Sequence, residues 1–176
     1  KIFPVNPHAD TIYDLNVSAS VAAIGEPVDL AVIAIPAQFV PAALREAANV
    51  GARGAVIISA GFKEVGRADL EEEIAAIATE TGITIIGPNC LGVINPELGM
   101  NASFAGIMPK FGNIAFVSQS GALCSSVLDY AAVFSMGFSK FMSIGNKTCV
   151  DEITLLKYFA QDEHTSVIAM YVEQLE

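Results

Sequence analysis

Basic residues are scarce in this chain of 176 residues: nine Lys and Arg stand against 19 Asp and Glu, for a formal net charge of −10. So acidic a surface has no long-range attraction for a polyanion, which argues against nucleic acid as a partner. Any phosphorylated ligand must therefore be held mainly by backbone amides and helix ends. Cysteine is also sparse. Cys90, Cys124 and Cys149 form neither a CxxC pair nor an even framework, which excludes a disulfide scaffold and points to a reducing, cytoplasmic setting. No apolar stretch reaches membrane-spanning length, because the longest, Leu30–Leu44, is broken by Pro36, Gln38 and Pro41. No charged-then-apolar leader follows Lys1, so no secretory signal is expected in this chain. The Gly-x-Gly-x-x-Gly word of a plain dinucleotide-binding protein is missing, and neither Ser118 nor Ser120 stands in the Gly-x-Ser-x-Gly setting of a hydrolase elbow. There is no internal repeat and no low-complexity segment.

What is present is an alternation of β-type apolar runs with helical patterns, in a composition that is 53% hydrophobic and suited to a well-buried core. The pattern predicts strands at Asp29–Ile35, Gly54–Ser59 and Ile83–Ile86, with helices over Phe39–Val50 and Asp69–Thr81 between them. Glu71, Glu72 and Glu73 lie in the first turn of the second helix, the end that favours negative charge. From Pro88 to Gly112 prolines and glycines interrupt the pattern, as in an ordered connector. A second series then begins, with strands at Asn113–Val117, Phe138–Ile144 and Ser166–Val172 and helices at Gly121–Phe134 and Val150–Gln161. Parallel strands need crossover connections, so the expected fold is α/β, with two parallel sheets and helices on both faces. The expected division is residues 1–86, a connector at 87–111, and residues 112–176. Neither half carries a full complement of elements, and the chain is expected to be the middle of a larger protein.

Two words carry most of the chemistry. Residues 117–123 read Val-Ser-Gln-Ser-Gly-Ala-Leu at a strand-to-helix junction. Its unpaired N–H groups and the positive end of the helix dipole can hold a phosphate; equally, Ser120 can be a simple cap and Gly121 a relief of crowding. Residues 87–96 read Gly-Pro-Asn-Cys-Leu-Gly-Val-Ile-Asn-Pro, beyond a strand's carboxyl end, where α/β sheets place ligands. Cys90 there can be a buried small hydrophobe or a reactive thiol. The turns Ile35-Pro36-Ala37-Gln38 and Ile58-Ser59-Ala60-Gly61-Phe62 read on their own as ordinary βα loops. Glu173, ending the last strand, reads on its own as a solvated strand terminus. Asp151 and Glu152 are placed to cap the helix after Val150.

In this order the two words resemble the α-subunit half of the nucleoside-diphosphate-forming acyl-CoA synthetases, the group that includes ADP-forming acetyl-CoA synthetase and succinyl-CoA synthetase. The resemblance covers nearly the whole chain. It implies a Rossmann-like coenzyme A-binding domain followed by a flavodoxin-like domain, both incomplete here. It implies that the Ser118, Gln119, Ser120, Gly121 and Ala122 junction cradles the phosphate of a phosphohistidine. It implies further that Glu173 orients that histidine, and that Pro36, Ala37, Ile58, Ser59, Ala60, Asn89 and Cys90 line the coenzyme A site without covalent catalysis. His8 and His164 lack the glycine-rich surroundings the family gives its phosphorylated residue, so that histidine is expected beyond residue 176 and the two present are expected on the surface. Val5-Asn6-Pro7 matches the family at the end of an early strand, but Ala9 stands where succinyl-type relatives carry a Lys that reaches the cofactor.

The implied reaction is acyl-CoA + phosphate + ADP ⇌ carboxylic acid + CoA + ATP. Coenzyme A would bind here, and ATP or ADP with magnesium on an ATP-grasp β-subunit or fused domain. No metal site, nucleic acid or membrane is expected for this chain, and an oligomer is. The alternative implied by some relatives is an acyl-CoA-sensing region of a protein acetyltransferase that has lost synthetase activity.

Overall fold

The computed structural model describes residues 1–175. Apolar β-branched runs form the first parallel sheet, with β3 (Leu30–Ile33), β4 (Gly54–Ile57) and β5 (Thr84–Ile86) in that spatial order. Preceding them, β1 (Thr11–Ile12) and β2 (Leu15–Asn16) make a small hairpin whose turn residues, Tyr13 and Asp14, both have positive φ, the geometry that matches the twist of flanking strands. Val5 makes only an isolated parallel bridge to Ser18, so the early strand expected there is not formed.

The crossovers between the strands are α1 (Val40–Asn49) and α2 (Ala68–Thr81). Side chains alternate along a strand, and the alternation decides where these helices lie. Ile33, Ala55, Ile57 and Ile85 share one core with Val40 and Leu44 of α1 and Ile74 and Ile77 of α2. Both helices therefore cover the same face of this sheet, not opposite faces as expected. On the other face Val32 stays half-exposed, while Ile86 packs against a core of the second sheet.

The second sheet has the order β10-β8-β9-β6-β7. Its parallel centre is β8 (Lys110–Ser118), β9 (Gly137–Ser143) and β10 (Val167–Tyr171). Residues 92–103, read from sequence as connector, instead supply two strands. They are β6 (Gly92–Asn95) and β7 (Met100–Ser103), a hairpin added antiparallel to β9. Here the helices do cover both faces. Helix α3 (Gly121–Phe134) packs Cys124 and Leu128 on Phe116 and Phe141, and α4 (Glu152–Phe159) packs Leu155 and Phe159 on Val117 and Met142. The result brings the carboxyl ends of β3–β5 and of β8–β10 toward a common seam, closed by residues 87–89 and 144–148.

Candidate functional site

The three loops leaving the first sheet are tied together by Ser59. Its hydroxyl donates to the Ile35 carbonyl (2.6 Å) and accepts from the Ile35 N–H (3.0 Å), while its carbonyl accepts from Asn89 N–H (2.9 Å). The Ser59 hydroxyl is thus occupied within the fold. Cys90 also stands behind the surface: it is 4% exposed and directs its thiol at the Ile57 carbonyl (3.3 Å). Burial pushes its pKa up to about 12, so it stays a protonated thiol at neutral pH and is no nucleophile. Ile58 is half-buried, its N–H bonded to the Ile33 carbonyl. The accessible rim is left to Pro36, Ala37, Ala60 and Asn89, which are exposed or half-exposed. Pro36, Ala37 and Ala60 are small, leaving room for an extended cofactor over the strand ends.

The junction after β8 is more selective than its sequence suggests. Ser118 is fully buried, and its hydroxyl accepts from Ser120 N–H (2.9 Å) and donates to the Ser120 carbonyl (2.9 Å). Ser120 is the N-cap of α3, its Oγ accepting from Leu123 N–H (3.3 Å). Gln119 N–H is held by the Tyr171 carbonyl (3.1 Å). Of the five junction residues, then, Gly121 and Ala122 present N–H groups that find no partner among the described residues. They sit at the positive end of a 14-residue helix. Two donors and a dipole are an arrangement that can hold an anion, with Ser118 bracing it from behind. A Cβ built on Gly121 would lie 3.9 Å from Leu91, the residue after Cys90. The first turn of α3 therefore abuts the turn that borders the first-sheet rim.

Glu173 lies beside this junction and is exposed. Its N–H donates to Gln119 Oε1 (2.6 Å), as does the N–H of Gln174 (3.2 Å). His8 is exposed, and His164, half-exposed, lies 3.0 Å from Glu97 and edge-on to Phe111. Neither belongs to this site.

A polar network closes the seam; of its members only Glu71 was named from sequence, as a helix-start carboxylate and not as part of a network. Glu71 is buried; its carboxylate takes Lys63 Nζ (3.1 Å), the Asn146 amide (2.9 Å) and the Thr148 hydroxyl (3.0 Å). Glu64 accepts from the Asn146 amide (2.8 Å) and from Gly61 N–H (2.6 Å). Main-chain bonds from Asn146 N–H to the Pro88 carbonyl (2.9 Å) and from Thr148 N–H to the Gly87 carbonyl (3.2 Å) run alongside. Gly145 makes this approach possible: its φ is +53°, and a Cβ there would come within 2.6 Å of the Asn89 carbonyl oxygen. Asp151 does cap α4, accepting from Thr154 N–H (2.7 Å). Glu152 turns inward instead to meet Lys147 (2.9 Å). The one available signal was the turn-like Gly145-Asn146-Lys147 following a strand.

Comparison with known proteins assigns both halves. Residues 1–96 match the family model described as CoA binding domain, and residues 111–176 match the succinyl-CoA ligase like flavodoxin domain. The chain is 46% identical to acetate–CoA ligase (ADP-forming) of Methanocaldococcus jannaschii over 100% of its length and 25% of that protein's. It is 39% identical to the α subunit of acetate–CoA ligase (ADP-forming) II of Pyrococcus furiosus, covering 100% of this chain and 39% of the subunit. Among solved structures, acetyl-coenzyme A synthetase 1 of Ca. Korarchaeum cryptofilum, in complex with phosphate and ADP, superposes with a TM-score of 0.94 at 37% identity, over 99% of this chain and 38% of that one. This is an α/β protein segment with a coenzyme A-binding domain and a succinyl-CoA ligase-type flavodoxin domain. It belongs to the NDP-forming acyl-CoA synthetase family, and spans between a quarter and two fifths of the length of these relatives.

Proposed function

We propose that this chain is the acyl-CoA and phosphoryl-handling segment of an acid–thiol ligase that interconverts acyl-CoA, phosphate and ADP with carboxylic acid, CoA and ATP. The observation that carries the reading is the pair of unpartnered N–H groups at Gly121 and Ala122, abutting Leu91 and next to the Glu173 turn. Such a site binds a transferring phosphoryl group by electrostatics already in place before reaction. Coenzyme A, when bound, would supply its thiolate as leaving group in one direction and its thiol as acyl acceptor in the other. Pro36, Ala37, Ala60 and Asn89 would form its rim, with Ile58, Ser59 and Cys90 fixing the loops beneath.

In the acyl-CoA-consuming direction, phosphate oxygen bonds to the thioester carbon, the carbon–sulfur bond breaks, and acyl phosphate results. A histidine from outside this chain then takes the phosphoryl group as carboxylate departs, and passes it to ADP on an ATP-grasp module carrying magnesium. The part of this chain is to neutralise the moving charge with the Gly121 and Ala122 amides and the α3 dipole. Glu173 accepts a hydrogen bond from the imidazole nitrogen remote from phosphorus, fixing the tautomer. The acetate–CoA ligase relatives support acetate or a similar short acid as substrate, and the α subunits among them support a partner subunit or fused module. The reducing cytoplasmic setting and the oligomer rest on the sequence reading alone.

The test is to incubate the full-length protein with γ-labelled ATP and magnesium. Acid-labile, base-stable label that carboxylate plus CoA discharges is expected. Absence of label with coenzyme A binding intact would replace this reading with that of an acyl-CoA sensor.

A further inference from the structure

Lys147 is a lysine in an unusual position. Its side chain is 6% exposed and its backbone has φ of +60°, a region a non-glycine residue seldom adopts. A buried ammonium is expensive unless paired and fully bonded. Glu152, itself 9% exposed, supplies the charge at 2.9 Å, and the Gln174 carbonyl supplies a second acceptor at 2.7 Å. In the sheet β8 lies between β9 and β10. Lys147 follows β9 and Gln174 follows β10, so the contact joins two loops whose strands are not neighbours.

On the same two residues, Gln119 Oε1 accepts the N–H groups of Glu173 and Gln174. The turn after β10 is therefore gripped from both sides: the Gln119 side chain takes its donors and Lys147 takes its carbonyl. Neutralising Glu152 alone would not need the second contact.

We propose that Lys147 is a positioning residue for Glu173, its buried ammonium, seated on Glu152, fixing the Glu173–Gln174 main chain against the start of α3. This inference rests on the phosphoryl-transfer reading for its consequence in catalysis, although the clamp itself does not. With the clamp in place, the Glu173 carboxylate has one approach to whatever group occupies the Gly121–Ala122 amides. Without it the turn depends on Gln119 alone.

Lys147→Met by itself leaves Glu152 buried and unpaired, so the informative variant is Lys147→Met with Glu152→Leu, which removes both charges together. Hydrogen exchange of the full-length protein is read first. In the double variant the amides of 173–174 should exchange at least about tenfold faster, while those of β8 remain as in the wild type. Unchanged exchange there overturns the clamp. Phosphoenzyme formation is read second. It should slow by about 10-fold or more, as loss of orienting partners generally does, with coenzyme A affinity within about twofold. On a Glu173→Gln background the double change should add almost nothing, because both act through one carboxylate. Equal slowing on both backgrounds overturns the positioning role. Faster exchange at 173–174 in a protein whose wild type takes no label would leave the clamp standing and remove the phosphoryl-transfer reading instead.

Discussion

A cysteine in a turn beside the proposed coenzyme A site invites a nucleophilic role, and the surroundings of Cys90 deny it one. Burial pushes its thiol up to about 12 and that of Cys124 up to about 11, so neither carries appreciable thiolate near neutrality. Cys149 is exposed, though burial of its sulfur raises its pKa as well. Peptide mapping after a thiol reagent at pH 8 should therefore find Cys149 modified first, with Cys90 and Cys124 protected until the protein unfolds. Early labelling of Cys90 would contradict the burial described above. Glu173 supports a second prediction at this scale. Glu173→Gln keeps the side chain's size and its main-chain bonds to Gln119, yet removes the charge proposed to stabilise an imidazolium. Phosphoenzyme formation should slow while coenzyme A affinity is retained, and a parallel loss of both would count against the orienting role. The serines of the junction divide similarly. Ser120→Ala removes a cap and should cost about 1 kcal/mol in denaturant unfolding, whereas Ser118 is a buried brace whose hydroxyl faces Ser120.

At the scale of elements, long apolar runs were legible and short polar ones were not. Helix α3 falls at the residues its periodicity predicts, and β8, β9 and β10 shift by only a few residues at their ends. The hairpin of β6 and β7 was missed because Gly92, Asn95, Met100 and Asn101 have little strand propensity of their own. Pairing with β9 supplies what local preference does not. The face covered by α1 and α2 was missed for a different reason, since periodicity gives a helix's apolar side but not which side of a sheet receives it. The junction and loops proposed to hold phosphate and cofactor stand out as words in the sequence, yet which N–H groups remain free depends on Tyr171, distant in sequence, and so could not be read from residues 117–123 alone. Phe141 shows how much the second sheet leans on one position. It is fully buried and stacks on Phe116 at 4.8 Å between ring centroids. Phe141→Ala should cost about 3–5 kcal/mol in denaturant unfolding, and a loss below about 1 kcal/mol would mean the core closes around the missing ring.

For the molecule as a whole, the question is what keeps two sheets with largely separate cores in register. The seam is polar: Lys63, Glu64 and Glu71 on one side, Asn146 and Thr148 on the other. Polar seams titrate. Burial alone pushes the Glu64 carboxyl up, but the Asn146 amide and the Gly61 and Phe62 N–H groups outweigh it, leaving its pKa below the ordinary 4.5. A carboxylate whose folded pKa is depressed contributes stability above its unfolded value and loses that contribution as pH falls through the folded one. The seam should accordingly be intact at neutral pH and weaken below about pH 4.5. Glu64→Gln should abolish that part of the acid sensitivity. Glu71 is the stronger test, because it is buried with three partners. Glu71→Ala leaves the Thr148 hydroxyl without its acceptor and the Asn146 amide with Glu64 alone, while the half-exposed Lys63 ammonium can turn to water, a change worth about 1–3 kcal/mol. The main-chain bonds from residues 146 and 148 to 88 and 87 remain, so each sheet should stay folded while the coupling between them loosens. Hydrogen exchange of the full-length protein should then rise selectively at residues 61–64 and 144–148 with both cores still protected. A uniform rise across β4 and β8 would show instead that the seam is part of one cooperative core, and that the two sheets unfold as a single body.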